Sequence, residues 1–296
     1  MFASKRLRPL GLVAALLLAL FSLDRAVAFT LAKIVTRSGN RVAQVYSGKA
    51  HGDVLLLGNS VADAMTTVPL IEQATGLSAY TLAVHGLDAR TQEVFARAYL
   101  QRNPPPRFVM MEVRSASDRD VIAREFTMFA WESPDLIGLA EEESRSRIPW
   151  RRISALYNFN SRNLPSVVSR VATGDDQDES GSDGVINAAK KRRFVERRLS
   201  VAVDPVKLAA FVRTIRLFQA RGSTVVVVAA PMHPVTRELG AWAERYVATV
   251  RTALPPGTRF IDGLRMFGDD AAFEDPVHMN AKGRLRFTPV LAAALR

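Results

Sequence analysis

The chain has 296 residues, 48% hydrophobic and 23% charged, enough to bury a full core in one large domain or one domain with an insertion. A formal charge of +11 raises nucleic acid, anionic lipid and acidic polymer as partners. No zinc-finger spacing or RNA-recognition signature goes with it, so no nucleic acid is expected, and a solvated basic surface accounts for runs such as Lys190-Lys191-Arg192-Arg193. Cysteine is absent, which excludes structural disulfides and thiolate metal sites.

At the amino terminus Lys5, Arg6 and Arg8 precede "LGLVAALLLALFSL", an uncharged apolar run over residues 10–23. Its 14 residues fall short of the ~20 that cross a bilayer as a straight helix and match a signal-peptide core. Ala26-Val27-Ala28 offers a cleavage site. Asp24 and Arg25 intervene, however, and fit the outer interface of an uncleaved anchor, with "AVAFTLAKIV" continuing along the membrane surface. Residues 1–30 are therefore a signal peptide or, preferably, a membrane anchor. Either way the positive-inside rule predicts export. The chain would be tethered to the inner membrane facing the periplasm or cell exterior, or secreted after cleavage following Ala28.

Beyond residue 50, strand-like runs alternate with amphipathic stretches. The strand candidates are 53–58, 79–84, 107–113, 223–231 and 258–263, mostly continuous apolar runs of the kind covered on both faces. Helical patterns fall at 61–75 (reset at Pro69, stopped at Gly76), 88–102 (capped by Asp88), 204–221 and about 237–253. This alternation predicts an α/β domain over 50–296, a three-layer α/β/α fold around a five-stranded parallel sheet, with ligands at the carboxyl ends of the strands. An insertion at about 115–200 interrupts it. Within that insertion 119–171 reads as mainly helical, with Trp131 and Trp150 as core residues, and 173–184 as a flexible loop.

The predicted strand ends carry chemistry. The first runs into Gly58-Asn59-Ser60, the second into His85-Gly86, the third into Glu112-Val113-Arg114-Ser115 and the fourth into Pro231-Met232-His233-Pro234. After the fifth comes Asp275-Pro276-Val277-His278. A short loop of that spacing can turn the Asp275 carboxylate onto Nδ1–H of His278, leaving Nε2 to take a proton from Ser60. Read alone, Ser60 is a helix cap; with His278 and Asp275 it reads as a nucleophile. Three of the four histidines fall at this edge, but their separation over three loops gives no metal-ligand spacing, so neither metal nor cofactor is expected. His85, Arg114, Asn59 and above all His233 are candidates for substrate contact, and Asp269-Asp270 read as turn residues.

The order of these blocks resembles the SGNH (GDSL-like) hydrolase and acyltransferase superfamily, over roughly residues 50–113 and 200–296. The resemblance implies a flavodoxin-like fold, Ser60 as nucleophile, His278 as general base and Asp275 as orienting acid. It also implies an oxyanion hole from the Ser60 and Gly86 amides. Two departures stand out: Asn59 replaces the aspartate of the usual first block, and "EVRSASD" lacks the third-block asparagine that completes the hole, so that either Arg114 or Ser115 substitutes for it or the hole has only two donors. Envelope-facing relatives that acylate polysaccharides share that departure and an amino-terminal anchor. The expectation is thus an exported esterase or O-acyltransferase acting on an ester of an envelope polysaccharide, with an integral membrane O-acyltransferase as a possible partner. The alternative is a catalytically weak polysaccharide-binding accessory protein.

Overall fold

The structure is a computed structural model that describes residues 4–118, 123–144, 148–160, 184–198 and 201–296, with side chains from residue 11 onward. The expected loop at 173–184 falls almost wholly outside the described residues, as does part of the expected helical stretch at 119–171.

Five strands form one parallel sheet: β1 (Val54–Gly58), β2 (Ala79–Ala83), β3 (Phe108–Glu112), β4 (Thr224–Ala229) and β5 (Arg259–Asp262). Their order is β2-β1-β3-β4-β5. All lie within the runs expected from the sequence. β1 and β3 are buried along their whole length, as central strands covered on both faces must be, whereas β5 at the edge is half exposed. Chain order reverses between β1 and β3, so the crossovers leave in opposite directions and open a crevice at the carboxyl ends of these strands. Val54, Leu56, Phe108, Met110, Val226 and Val228 share one core cluster with Val61, Met65, Ile71, Phe287 and Leu291. The alternate strand residues, Leu55, Leu57, Val109, Met111, Val225 and Val227, face the other way and are equally buried.

The helix expected at 61–75 is two: α3 (Ser60–Met65) and α4 (Val68–Thr75), separated where Thr66 and Thr67 turn extended. Pro69 sits in the first turn of α4, where its missing N–H costs nothing, and Gly76 ends it in the left-handed conformation at φ 72°. α5 (Ala89–Arg102) starts at the expected cap, Asp88 accepting from Thr91 N at 2.8 Å. Later come α8 (Ala188–Glu196), α9 (Pro205–Gln219), α10 (Trp242–Thr252) and α11 (Ala281–Ala293). α10 begins five residues later than expected because Pro234–Leu239 is a 3-10 turn that Gly240, at φ 81°, cuts off.

The chain divides into two compact units, one of residues 44–122 with 176–296, the other of residues 1–43 with 123–175. The first contains the sheet. In the second, α1 (Ser4–Thr36) is a single helix of 33 residues, not a 14-residue run followed by a surface segment. Over Gly11–Thr36 it is long and apolar enough to cross a membrane. Residues 11–23 are exposed throughout, whereas Ala28, Ala32 and Val35 are buried at helical spacing. α2 (Arg41–Tyr46), within which the division falls, follows α1, and the second unit holds α6 (Asp135–Glu142) and α7 (Trp150–Ile153). Asp24 accepts from Ser154 Oγ at 2.5 Å and from the backbone N–H groups of Ala155 and Leu156. Arg25 donates to the carbonyls of Arg152 and Ile153. Phe29 meets Trp131 edge-on at 5.2 Å, and Lys33 pairs with Glu132. Trp131 and Trp150 are not core residues as expected: both are exposed, Trp131 packing edge-on to Phe29 and Trp150 lying against Tyr157.

Candidate active site

Ser60 opens α3 directly after β1. Gly58 makes the tight approach possible, because a Cβ there would stand 2.3 Å from the Ala62 Cβ. Asn59 is the cap, buried at 2% exposure, its Oδ1 accepting from Val61 N at 2.9 Å. The cap role that the sequence left open for Ser60 therefore falls to Asn59, and the Ser60 hydroxyl is free for other work. It lies 2.8 Å from Nε2 of His278.

His278 is held from the other side. Its Nδ1 lies 2.8 Å from Asp275 Oδ2, while Asp275 Oδ1 accepts the backbone N–H groups of Val277 and His278 at 2.8 and 2.9 Å. Burial alone would raise the Asp275 pKa. The hydrogen bond and charge of His278, with the two backbone donors, outweigh it and hold the carboxyl below its ordinary 3.8. An ionised Asp275 makes Nδ1 the protonated nitrogen, so Nε2 accepts the Ser60 proton. The loop is braced at its base by an antiparallel bridge between Phe273 and Met279 and by Glu274 N donating to His278 O at 3.0 Å. Asn280 caps α11 through Gly283 N and donates to the carbonyls of Gly184 and Ala271. Its spacing before α11 is a legible helix-start signal that the sequence reading did not use.

His233 is not placed for substrate contact. It is 4% exposed, its Nδ1 accepts from Val235 N at 3.0 Å, its Nε2 lies 2.8 Å from Asp270 Oδ1, and its ring packs edge-on to Phe273. Both nitrogens are occupied, and its backbone N–H donates to Pro276 O, so it braces the Asp275–His278 loop. Asp270 in turn is no mere turn residue: Lys191 and His233 bind it and hold its pKa below the ordinary 3.8. The basic run at 190–193 is likewise only partly a solvated face, since Lys191 binds Asp270 and Lys190 donates to Glu274 O at 2.9 Å.

After β2, Gly86 turns at φ 71°, a left-handed conformation that suits glycine. Neither its N–H nor that of Ser60 has an acceptor among the described residues. His85 is exposed, its Nε2 3.5 Å from Asp63 Oδ2 on α3. After β3 a 3-10 turn, Val113–Ala116, is pinned by Tyr246 OH donating to Val113 O. In it Ser115 is fully buried with Oγ unpartnered, and Arg114 keeps Nε and Nη1 without an acceptor. Among the described residues, no three His, Cys, Asp or Glu side chains are grouped to hold a metal ion.

No protein-family model matches this chain, and the comparison with curated proteins found no match. The reading of the site therefore stands on its geometry.

Proposed function

We propose that the chain is a serine esterase or O-acyltransferase of the SGNH type. It works through an acyl-Ser60 intermediate on an ester of an envelope polysaccharide. The observation that carries this is the unbroken relay from Ser60 Oγ to His278 Nε2 and from His278 Nδ1 to Asp275, 2.8 Å at each step. Strand order β2-β1-β3-β4-β5, the core that α3, α4 and α11 share with one sheet face, and the packing of α5 on α9 support the three-layer arrangement of that superfamily.

In the reaction Ser60 Oγ attacks the ester carbonyl carbon while its proton passes to His278 Nε2. Asp275 stabilises the imidazolium without taking the proton. The oxyanion meets the unpaired N–H groups of Ser60 and Gly86, each worth ~2.7–4 kcal/mol to the transition state. Collapse expels the alcohol oxygen, which takes the proton from His278. Water or a sugar hydroxyl then gives its proton to His278 and attacks acyl-Ser60, completing hydrolysis or transfer.

α1 supports membrane tethering. Its exposed stretch 11–23 suits lipid, and Ala28, at 2% exposure within a packed helix, is a poor protease substrate. An exported, uncleaved anchor follows, with an integral membrane acyltransferase as the natural donor of acyl groups. A second reading, a polysaccharide-binding accessory protein with little turnover, is favoured by the missing asparagine after β3. Fluorophosphonate labelling of the full chain in detergent tests both. Labelling of the wild type that disappears in Ser60→Ala and His278→Ala is the expected result; a folded wild type that stays unlabelled leaves the accessory reading.

A further inference from the structure

Beside the triad loop, on the side of Asp275, lies an open cleft of about 310 Å³. It is lined by Arg114, Lys190, Arg193, Phe194, Val201 and the Asp275–Val277 segment. Three cations thus face one carboxylate, and that carboxylate already accepts three hydrogen bonds, from His278 Nδ1 and from the Val277 and His278 backbones. The cations are far less satisfied. Arg114 Nε and Nη1 are closed off from solvent with no acceptor. The Arg193 guanidinium has no partner among the described residues. Lys190 spends one of its three N–H groups on Glu274 O. Lys190 and Arg193 are exposed and keep N–H groups for an incoming anion, with which charge-assisted hydrogen bonds are stronger than neutral ones.

We infer that this cleft binds a carboxylate-bearing sugar, a uronate-type unit of an acidic glycan, with Arg114, Lys190 and Arg193 taking the carboxylate and Phe194, Val201, Pro276 and Val277 covering the ring. The size suits one sugar unit. Arginine recognises carboxylates through paired, charge-assisted hydrogen bonds, and apolar walls suit the C–H face of a pyranose. The site narrows the proposed substrate from any polysaccharide ester to an acidic one. It rests on the Ser60 reading only for the statement that the bound glycan is the substrate. The basic run is then a ligand surface, presented by α8, fastened just before the triad loop by Lys190 on Glu274 O and to Asp270 by Lys191.

The test is calorimetric titration of the full chain carrying Ser60→Ala, which binds without turnover, with an oligogalacturonate and with the same oligomer after carboxyl reduction. The expected result is binding of the acidic oligomer alone, weakening as salt rises. Arg193→Gln and Arg114→Gln should each weaken it by roughly tenfold or more, and Arg193→Lys, which keeps the charge but loses the paired geometry, should weaken it less than Arg193→Gln does. Arg193 is exposed, so its substitution leaves folding intact, which an unchanged melting temperature verifies. Equal binding of the reduced oligomer, or unchanged affinity in Arg193→Gln, overturns the proposal. So does inorganic phosphate displacing the oligomer at lower concentration than acetate does, which assigns the cleft to phosphate. Because binding is read on a Ser60→Ala background, the cleft can stand when fluorophosphonate labelling fails, and can fall when labelling succeeds.

Discussion

Three donors converge on the Asp275 carboxylate, and the charge they hold there fixes which nitrogen of His278 carries the proton. Asp275→Asn keeps the shape but lets the ring present Nε2–H to Ser60, which removes the base. Labelling of Ser60 by a fluorophosphonate should slow by roughly 10⁴-fold with little change in melting temperature. A different kind of residue is Tyr99, buried in α5 with a hydroxyl that has no partner and a pKa pushed up to about 12 by burial. Tyr99→Phe removes an unsatisfied donor without opening a cavity, so it should raise stability by about 1 kcal/mol in urea denaturation. Ser60, Asp275 and His278 were legible in the sequence because each stands at a strand end or in a short local motif. The contact of His233 with Asp270 was not: His233 stands at a strand end, but its partner lies 37 residues away and no short motif links the two.

At the scale of elements, α5 and α9 are clasped by Glu93, which accepts from Arg213 Nη2 at 2.7 Å and also pairs with Arg97. Burial on its own would raise the Glu93 pKa. The hydrogen bonds and charges of the two arginines outweigh it and leave the pKa below the ordinary 4.5. A depressed carboxyl pKa contributes stability that is fully present above the unfolded value and is lost as pH falls through the folded one. Glu93→Gln should therefore cost about 1 kcal/mol at pH 7, Arg213 being half exposed and screened. The difference should shrink as pH falls below 4.5, read from urea midpoints of the two proteins side by side. The strands were legible as elements because a parallel sheet covered on both faces leaves unbroken apolar runs. The break between α3 and α4 was half visible, in Pro69, but the two threonines that turn extended carry no such marker. The short turns at 123–129 and 156–158 have no periodicity to read, and the start of α10 is set by a glycine conformation instead of by hydrophobic spacing.

Across the whole chain, the amino-terminal helix and the segment inserted after β3 form a unit that neither makes alone. The sequence shows the apolar run and its flanking charges; it does not show that Asp24 and Arg25 serve residues 152–156. Asp24→Ala removes three acceptor contacts and should speed tryptic cleavage at Arg151-Arg152 by about tenfold in the detergent-solubilised chain, followed by mass spectrometry. The intact mass of the wild type from membranes should include residues 1–28. These contacts also have a timing. Ser154 lies 130 residues beyond Asp24, so at roughly 5–20 residues per second its partner emerges about 6–26 seconds after α1. Until then nothing covers the bond after Ala28, and afterwards the helix is packed shut. On the proposed uncleaved anchor, retention of the leader is a race between translation and the peptidase: slowing the ribosome between residues 30 and 154 should release a shorter, untethered protein from an unchanged cleavage site.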